Sequence, residues 1–169
     1  MQRPITSHQK KLSALCAIVG AKSSSKELES IEVSGISQAS DSVLVGDLFI
    51  ALPGEKFHGA QFASDAISRG AVAVLTDAKG AKDIKGVPVL ISTNPRRAAG
   101  IASAWFYSEP MRDLYSVGVT GTNGKTTVTT LLHQIMTAAG RDSGLIGTVE
   151  TRIGVESIAS KRTTPESSD

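Results

Sequence analysis

The residues with the clearest chemistry lie in one run, Gly118-Val119-Thr120-Gly121-Thr122-Asn123-Gly124-Lys125-Thr126-Thr127. Glycines at this density let the backbone curl so that successive N–H groups converge on one centre. A helix starting there adds its own unpaired N–H groups and the positive end of its dipole. Such a cradle suits a phosphate. Lys125 supplies a mobile cation for the β- and γ-phosphates of a nucleoside triphosphate, and the Thr126 hydroxyl is placed to ligate Mg²⁺. Gly121, Thr122, Asn123, Gly124 and Thr127 complete the candidate nucleotide contacts. The run departs from the general pattern G-x-x-x-x-G-K-[ST], because the residue five before Gly124 is Val119 and Gly118 stands one place early. That departure sets it apart from loops of the Ras or transporter kind. The plain alternative is a glycine-rich turn followed by a surface lysine.

A phosphate loop needs a strand before it and a helix after it. Leu114 to Val119 reads as the strand, Thr120 to Gly124 as the loop, and Lys125 to Ala139 as a helix ended by Gly140. Val128, Leu131, Leu132, Ile135 and Met136 would form the apolar side of that helix. Leu145 to Ile153 reads as another strand, whereas Glu156 to Asp169 is polar and closes no element. From residue 43 onward, short apolar runs alternate with helical patterns, the sign of an α/β fold with a largely parallel sheet. Leu48 to Leu52, Ala71 to Leu75 and Val87 to Ile91 are its strands. A helix over 60–69 carries Phe62, Ala63, Ala66 and Ile67 inward, with Gly70 as its left-handed stop. Asn94 and Pro95 open a second helix that turns Ile101, Ala102 and Trp105 to the core. Tyr107 to Asp113, interrupted by Pro110, breaks the rhythm and is the expected boundary between residues 1–112 and 113–169.

Composition narrows the classes. The 169 residues are 40% hydrophobic, enough for one core and the start of a second, and the 18 Lys and Arg against 16 Asp and Glu are scattered, which argues against nucleic acid as a partner. One cysteine excludes an internal disulfide, and His8, His58 and His133 are too few for a Cys/His metal cluster. Leu12 to Val19 superficially resembles a secretory segment, but Leu12, Leu15, Cys16 and Val19 fall on one face of an amphipathic helix that Thr6 or Ser7 could cap. No run approaches the ~20 apolar residues of a membrane span, so a cytoplasmic protein without membrane insertion is expected.

Gly-Thr-Asn-Gly-Lys-Thr closely resembles the loop of the Mur ligases and of folylpolyglutamate synthetases. The latter carry it near the N-terminus, whereas more than a hundred residues precede it here. Those residues resemble the uridine-nucleotide domain of MurE- and MurF-type ligases, most clearly at Val45-Gly46-Asp47-Leu48-Phe49-Ile50-Ala51-Leu52-Pro53-Gly54 and Gly70-Ala71-Val72-Ala73-Val74-Leu75. Thr163-Thr164-Pro165-Glu166, with Gly147-Thr148-Val149 upstream, resembles the MurE-type signature that contacts the muramoyl substrate. The family commonly has Asp-Ser-Arg before the Gly-Asp turn, and here Ala39-Ser40-Asp41 stands there, so only the serine matches. The resemblance implies uridine contacts from Gln38, Ser40, Glu55, Lys56 and Phe57, and muramoyl contacts from Thr163 and Thr164. His58 is either a ligand contact or a solvated loop histidine, and His133 reads as structural.

What the family resemblance implies is an ATP- and Mg²⁺-dependent amide ligase of peptidoglycan synthesis, a cytoplasmic monomer. It would act on UDP-N-acetylmuramoyl-L-alanyl-D-glutamate and a diamino acid through an acyl phosphate. The chain would be about the first third of such an enzyme, inactive alone. It would comprise the uridine-nucleotide α/β domain and the opening of a parallel-sheet ATP domain. A MurF-type ligase is the rival within the family. A uridine-nucleotide binding module with a vestigial loop is the rival outside it.

Overall fold

A computed structural model of the chain describes residues 8–160 and 166. They fall into two compact units that divide between Arg112 and Asp113. The first unit begins with strand β1 (Lys10–Lys11), helix α1 (Leu12–Val19), and strands β2 (Lys22–Ser23), β3 (Glu32–Val33) and β4 (Gly35–Ser37). The expected alternation follows: β5 (Asp47–Ile50), α2 (Ala63–Ser68), β6 (Ala73–Thr76), β7 (Val89–Ile91) and α3 (Pro95–Phe106). The sheet order is β2-β7-β6-β5-β4, with β4 to β7 parallel and β2 antiparallel at one edge. β1 and β3 form a separate antiparallel pair.

Strand period two divides this unit into two cores. Leu48, Ile50, Ala73, Leu75 and Leu90 face Leu12 and Leu15 of α1 and Ala98, Ala99, Ala102 and Phe106 of α3. Phe49, Ala51 and Val74 face the other way, onto Ala63 and Ala66 of α2. Large side chains on the strands meet alanines on the helices, so the layers pack closely. Each fully buried Leu, Ile or Phe contributes about 1.5–3 kcal/mol.

Several expectations need correction. Thr6 and Ser7, expected as caps of α1, lie outside the described residues. Extended Lys11 holds the cap position, and the Leu12 N–H finds the Ile31 carbonyl at 2.9 Å instead. The helix read over 60–69 is a 3-10 turn, Gly59–Phe62, leading into α2. The tighter turn leaves Phe62 exposed while Ala63 and Ala66 hold the stripe. In α3, Asn94 Oδ1 accepts the Arg97 N–H at 3.1 Å and Pro95 follows it, as expected. Its buried face is Ala98, Ala99, Ala102 and Phe106, and Trp105 sits half-buried at the rim with the Lys10 ammonium over its ring.

The second unit contains helix α4 (Lys125–Ala138) and strands β8 (Gly144–Ile146), β9 (Glu150–Ile153) and β10 (Glu156–Ala159), which pair as an antiparallel meander. Three readings fail here. Leu114 to Val119 is not a strand, because it pairs with none of these three, and Leu114, Tyr115 and Val117 are exposed. The single strand read over Leu145 to Ile153 is two, broken at Gly147, whose N–H closes a turn onto the Glu150 carbonyl. Glu156 to Ala159, read as closing nothing, is β10, turned back by Gly154 at φ 58°. The apolar stripe of α4 is exposed, and its one buried residue is His133, whose Nδ1 lies 2.6 Å from Ser143 Oγ. Among the described residues no helix is long and apolar enough to cross a membrane.

Candidate functional site

The glycine-lysine loop meets α4 as the spacing requires. Gly124 holds the N-cap position with φ 80°, a left-handed conformation that costs glycine little. No side chain caps the helix and no acidic residue stands in its first turn, so its opening N–H groups and dipole are left for an anion. Lys125 curls back, donating from Nζ to the carbonyl of Gly121 and, at 3.3 Å, to that of Thr122. Gly121, Thr122, Asn123, Gly124, Lys125, Thr126 and Thr127 are all exposed. This donor set fits a nucleoside triphosphate: backbone N–H groups, one cation held by two loop carbonyls, and the exposed Thr126 hydroxyl, a hard oxygen suited to Mg²⁺. Thr129 Oγ1 bonds back to the carbonyls of Lys125 and Thr126 at 3.0 and 3.1 Å, which makes it a helix-internal residue.

In the first unit the candidate residues gather at the carboxyl ends of the parallel strands, where open α/β sheets bind ligands. Gln38 follows β4, the Pro53–His58 turn follows β5, and Asp77 follows β6. Glu55, Lys56 and Phe57 are exposed, Phe57 by 64%. Among the described residues Gln38 Nε2 is buried without a hydrogen-bond partner. A buried orphan donor is costly, so this atom is suited to an acceptor that the described residues do not supply. The Ser40 hydroxyl and the Arg69 guanidinium bond the Asp65 carboxyl and hold it below the usual carboxylate range; Arg69 Nε lies 3.0 Å away. Thr163 and Thr164 lie outside the described residues.

His58 is neither a solvated histidine nor one facing open space. Its Nδ1 accepts the Ala60 N–H at 3.1 Å and its Nε2 lies 3.1 Å from Asp77 Oδ1. The Gly80 N–H, donating to Asp77 at 2.7 Å, is the main reason that carboxyl is held below its usual range, with His58 adding to it. Asp65 and Asp77 were missed in the sequence. The available signal was weak: Asp77 directly follows a strand end, but a single loop aspartate is common.

Fold and loop together define the class: a parallel α/β unit followed by a lysine-bearing glycine loop at a helix start. Residues 32–107 match the model described as Mur ligase family, catalytic domain, and residues 119–169 match the Mur ligase middle domain. A UDP-N-acetylmuramoyl-L-alanyl-D-glutamate--2,6-diaminopimelate ligase of Streptomyces avermitilis is 46% identical over 157 residues, covering 92% of this chain and 31% of that protein. One of Listeria monocytogenes is 43% identical over 82% of this chain and 28% of its own length. A solved diaminopimelate ligase structure matches 95% of this chain and 31% of its own with TM-score 0.66 at 20% identity. A MurF structure from Acinetobacter baumannii matches 78% of this chain and 28% of its own with TM-score 0.63 at 23% identity. The chain belongs to the Mur ligase family, and carries its N-terminal and middle portions. It spans about a third of the length of the curated relatives.

Proposed function

We propose that this chain is the nucleotide-handling part of an ATP-dependent amide ligase that adds diaminopimelate to UDP-N-acetylmuramoyl-L-alanyl-D-glutamate in peptidoglycan synthesis. The observation that carries the reading is the uncapped start of α4 with Lys125 beside it, in a chain 46% identical to a ligase of that name. In this reading residues 1–112 hold the uridine-nucleotide substrate and residues 113–169 open the ATP domain. The enzyme works in the cytoplasm, where ATP and its precursor are made, as a monomer that does not insert in a membrane. The likeness to MurF at 23% identity supports the fold and gives no support to a MurF-type substrate.

The chemistry follows from the leaving group. A carboxylate expels oxide poorly, so the γ-phosphoryl group passes from ATP to the D-glutamate side-chain carboxylate and ADP departs. The amine of the incoming amino acid then attacks the acyl carbon, phosphate leaves with the C–O bonding pair, and the nitrogen loses a proton. Lys125 leaves its own carbonyls to neutralise charge on the transferring phosphoryl oxygens, while the N–H groups of Gly121 to Thr127 orient them. Thr126 would hold Mg²⁺, which supplies further charge neutralisation there. Gln38, Ser40 and the Glu55 to Phe57 turn hold the uridine end; Thr163 and Thr164 hold the muramoyl end.

The test uses the full-length protein with UDP-muramoyl-dipeptide, ATP, Mg²⁺ and either diaminopimelate or lysine. Mass-spectrometric detection of the diaminopimeloyl tripeptide with matched phosphate release is the expected result. Product only with D-alanyl-D-alanine on a tripeptide substrate assigns the rival ligase, and UDP binding without turnover of any substrate assigns a binding module.

A further inference from the structure

We propose that His58 and Asp77 are positioning residues for uridine-nucleotide recognition: they lock the base of the Glu55–Phe57 turn to the end of the neighbouring strand. This rests on the reading that the turn touches the nucleotide.

The turn itself has little to hold it. Glu55, Lys56 and Phe57 are exposed, and the hydrogen bonds that close it run between backbone groups: Gly54 N–H to the Phe57 carbonyl at 3.0 Å and Gly59 N–H to the Leu52 carbonyl at 2.8 Å. A six-residue loop closed by such bonds alone would sample several conformations, and binding would have to order it at a cost in affinity. His58 stands where the turn re-enters the fold, bridged to Pro53 across its neck, and its imidazole is fixed on both nitrogens. Because Nδ1 accepts the Ala60 N–H, the ring proton sits on Nε2 and donates to Asp77. Asp77 is fixed in turn by the Gly80 N–H. Thr76, next to it, donates its buried hydroxyl to the Ala51 carbonyl at 2.7 Å, tying β6 to the segment just before the turn. The ring also lies so close to Gly80 that a Cβ there would stand 2.5 Å from His58 Cε1 and 2.4 Å from Thr76 Oγ1. The glycine is therefore part of the same lock: it makes room for the imidazole.

This arrangement does no chemistry. Its effect is to present Lys56 and Phe57 in one geometry before the nucleotide arrives, so its loss should appear in binding of the uridine substrate and nowhere else.

The experiment is steady-state kinetics of the full-length enzyme, with UDP-muramoyl-dipeptide and ATP varied separately, on His58→Ala, Gly80→Ala, Asp77→Ala, Asp77→Asn and Phe57→Ala, each checked for an unchanged melting temperature. Expected are rises of about five- to tenfold in KM for the UDP substrate in His58→Ala, Gly80→Ala and Asp77→Ala, with kcat and the KM for ATP held. Asp77→Asn, which keeps an acceptor oxygen, should recover most of the loss. Gly80→Ala removes no polar group but crowds both the ring and the Thr76 hydroxyl, so it disturbs the lock through position and not through a lost donor or acceptor. A raised KM in Phe57→Ala with an unchanged one in His58→Ala overturns this inference and spares the site. An unchanged KM in Phe57→Ala removes the turn from the nucleotide site and the inference with it. Equal losses in both KM values and kcat, with a lowered melting temperature, would show that His58 only holds the fold and would also overturn it.

Discussion

The two units spend similar apolar residues to different ends. In the first, strand residues on both faces of the sheet are covered, Leu48, Leu75 and Leu90 against α1 and α3 and Phe49 and Val74 against α2. In the second, Val128, Leu131, Leu132, Ile135 and Met136 of α4 stand exposed beside a meander whose one buried apolar residue is Leu145. Yet the more exposed unit carries the sharper chemical motif. A phosphate cradle needs only a local backbone curl and a helix start, while a uridine site drawn from three strand ends needs a finished sheet to bring them together. A local motif can thus be legible where packing is sparse.

The sharpest break between the units should come from Lys125→Ala in the full-length enzyme. Among the described residues its ammonium bonds only carbonyls of its own loop, so removing it should leave the fold intact while turnover falls by about 10²–10³-fold or more. Steady-state phosphate release with circular dichroism checks both halves of the claim, and near-normal turnover would make the loop ornamental. Next in size is a core contrast. Phe49→Ala in the first unit should cost about 3–5 kcal/mol, because the ring is 1% exposed between sheet and α2. Ile135→Ala in this 169-residue chain should change stability by no more than about 0.5 kcal/mol, since Ile135 is 61% exposed. Urea unfolding of both variants measures the difference, and a comparable loss at Ile135 would mean that the α4 stripe is covered in solution.

The same contrast explains what the sequence disclosed. Where partners were nearby along the chain, pattern was enough. The strands near Leu48, Ala73 and Val89 and the Asn94-Pro95 helix start were legible because each pairs or caps within the first unit. The strand read over Leu114 to Val119 was not formed, because an apolar run specifies a strand only when a neighbour supplies its hydrogen bonds, and β8 to β10 pair among themselves. β1 to β4 went unread because two or three residues carry no periodicity; the Gly147 turn was hidden inside a run read as one strand, and Gly154 fell between two runs and was not read as a turn. At the site, Lys125 and its loop were legible because the chemistry is contiguous. Asp65 and Asp77 were not, since each acts on a residue 19 or more positions away, Asp77 on His58 and Asp65 on Ser40.

The smallest effect tests how finely the first unit sets its site. Ser40→Ala removes a hydroxyl that donates to Asp65 and, in the proposed reading, keeps its lone pairs for the uridine nucleotide. Asp65 is held below the usual carboxylate range first by Ser40 and then by Arg69. A carboxyl with a depressed native pKa contributes stability above its unfolded value that is lost as pH falls through the native one. In the variant the Asp65 pKa should therefore move up toward 3.8, though not fully, because Arg69 remains, and the acid-linked loss of stability should begin at slightly higher pH. Carboxyl titration by NMR follows the first effect. The second bond is followed by calorimetry on the full-length enzyme. UDP-substrate affinity should fall by about 0.5–1.5 kcal/mol, a several-fold change, and ATP affinity should stay constant because the two sets of residues are disjoint. A shifted Asp65 with unchanged UDP affinity would leave Ser40 as a helix anchor only, and an equal loss for both nucleotides would show that the variant had disturbed the fold itself.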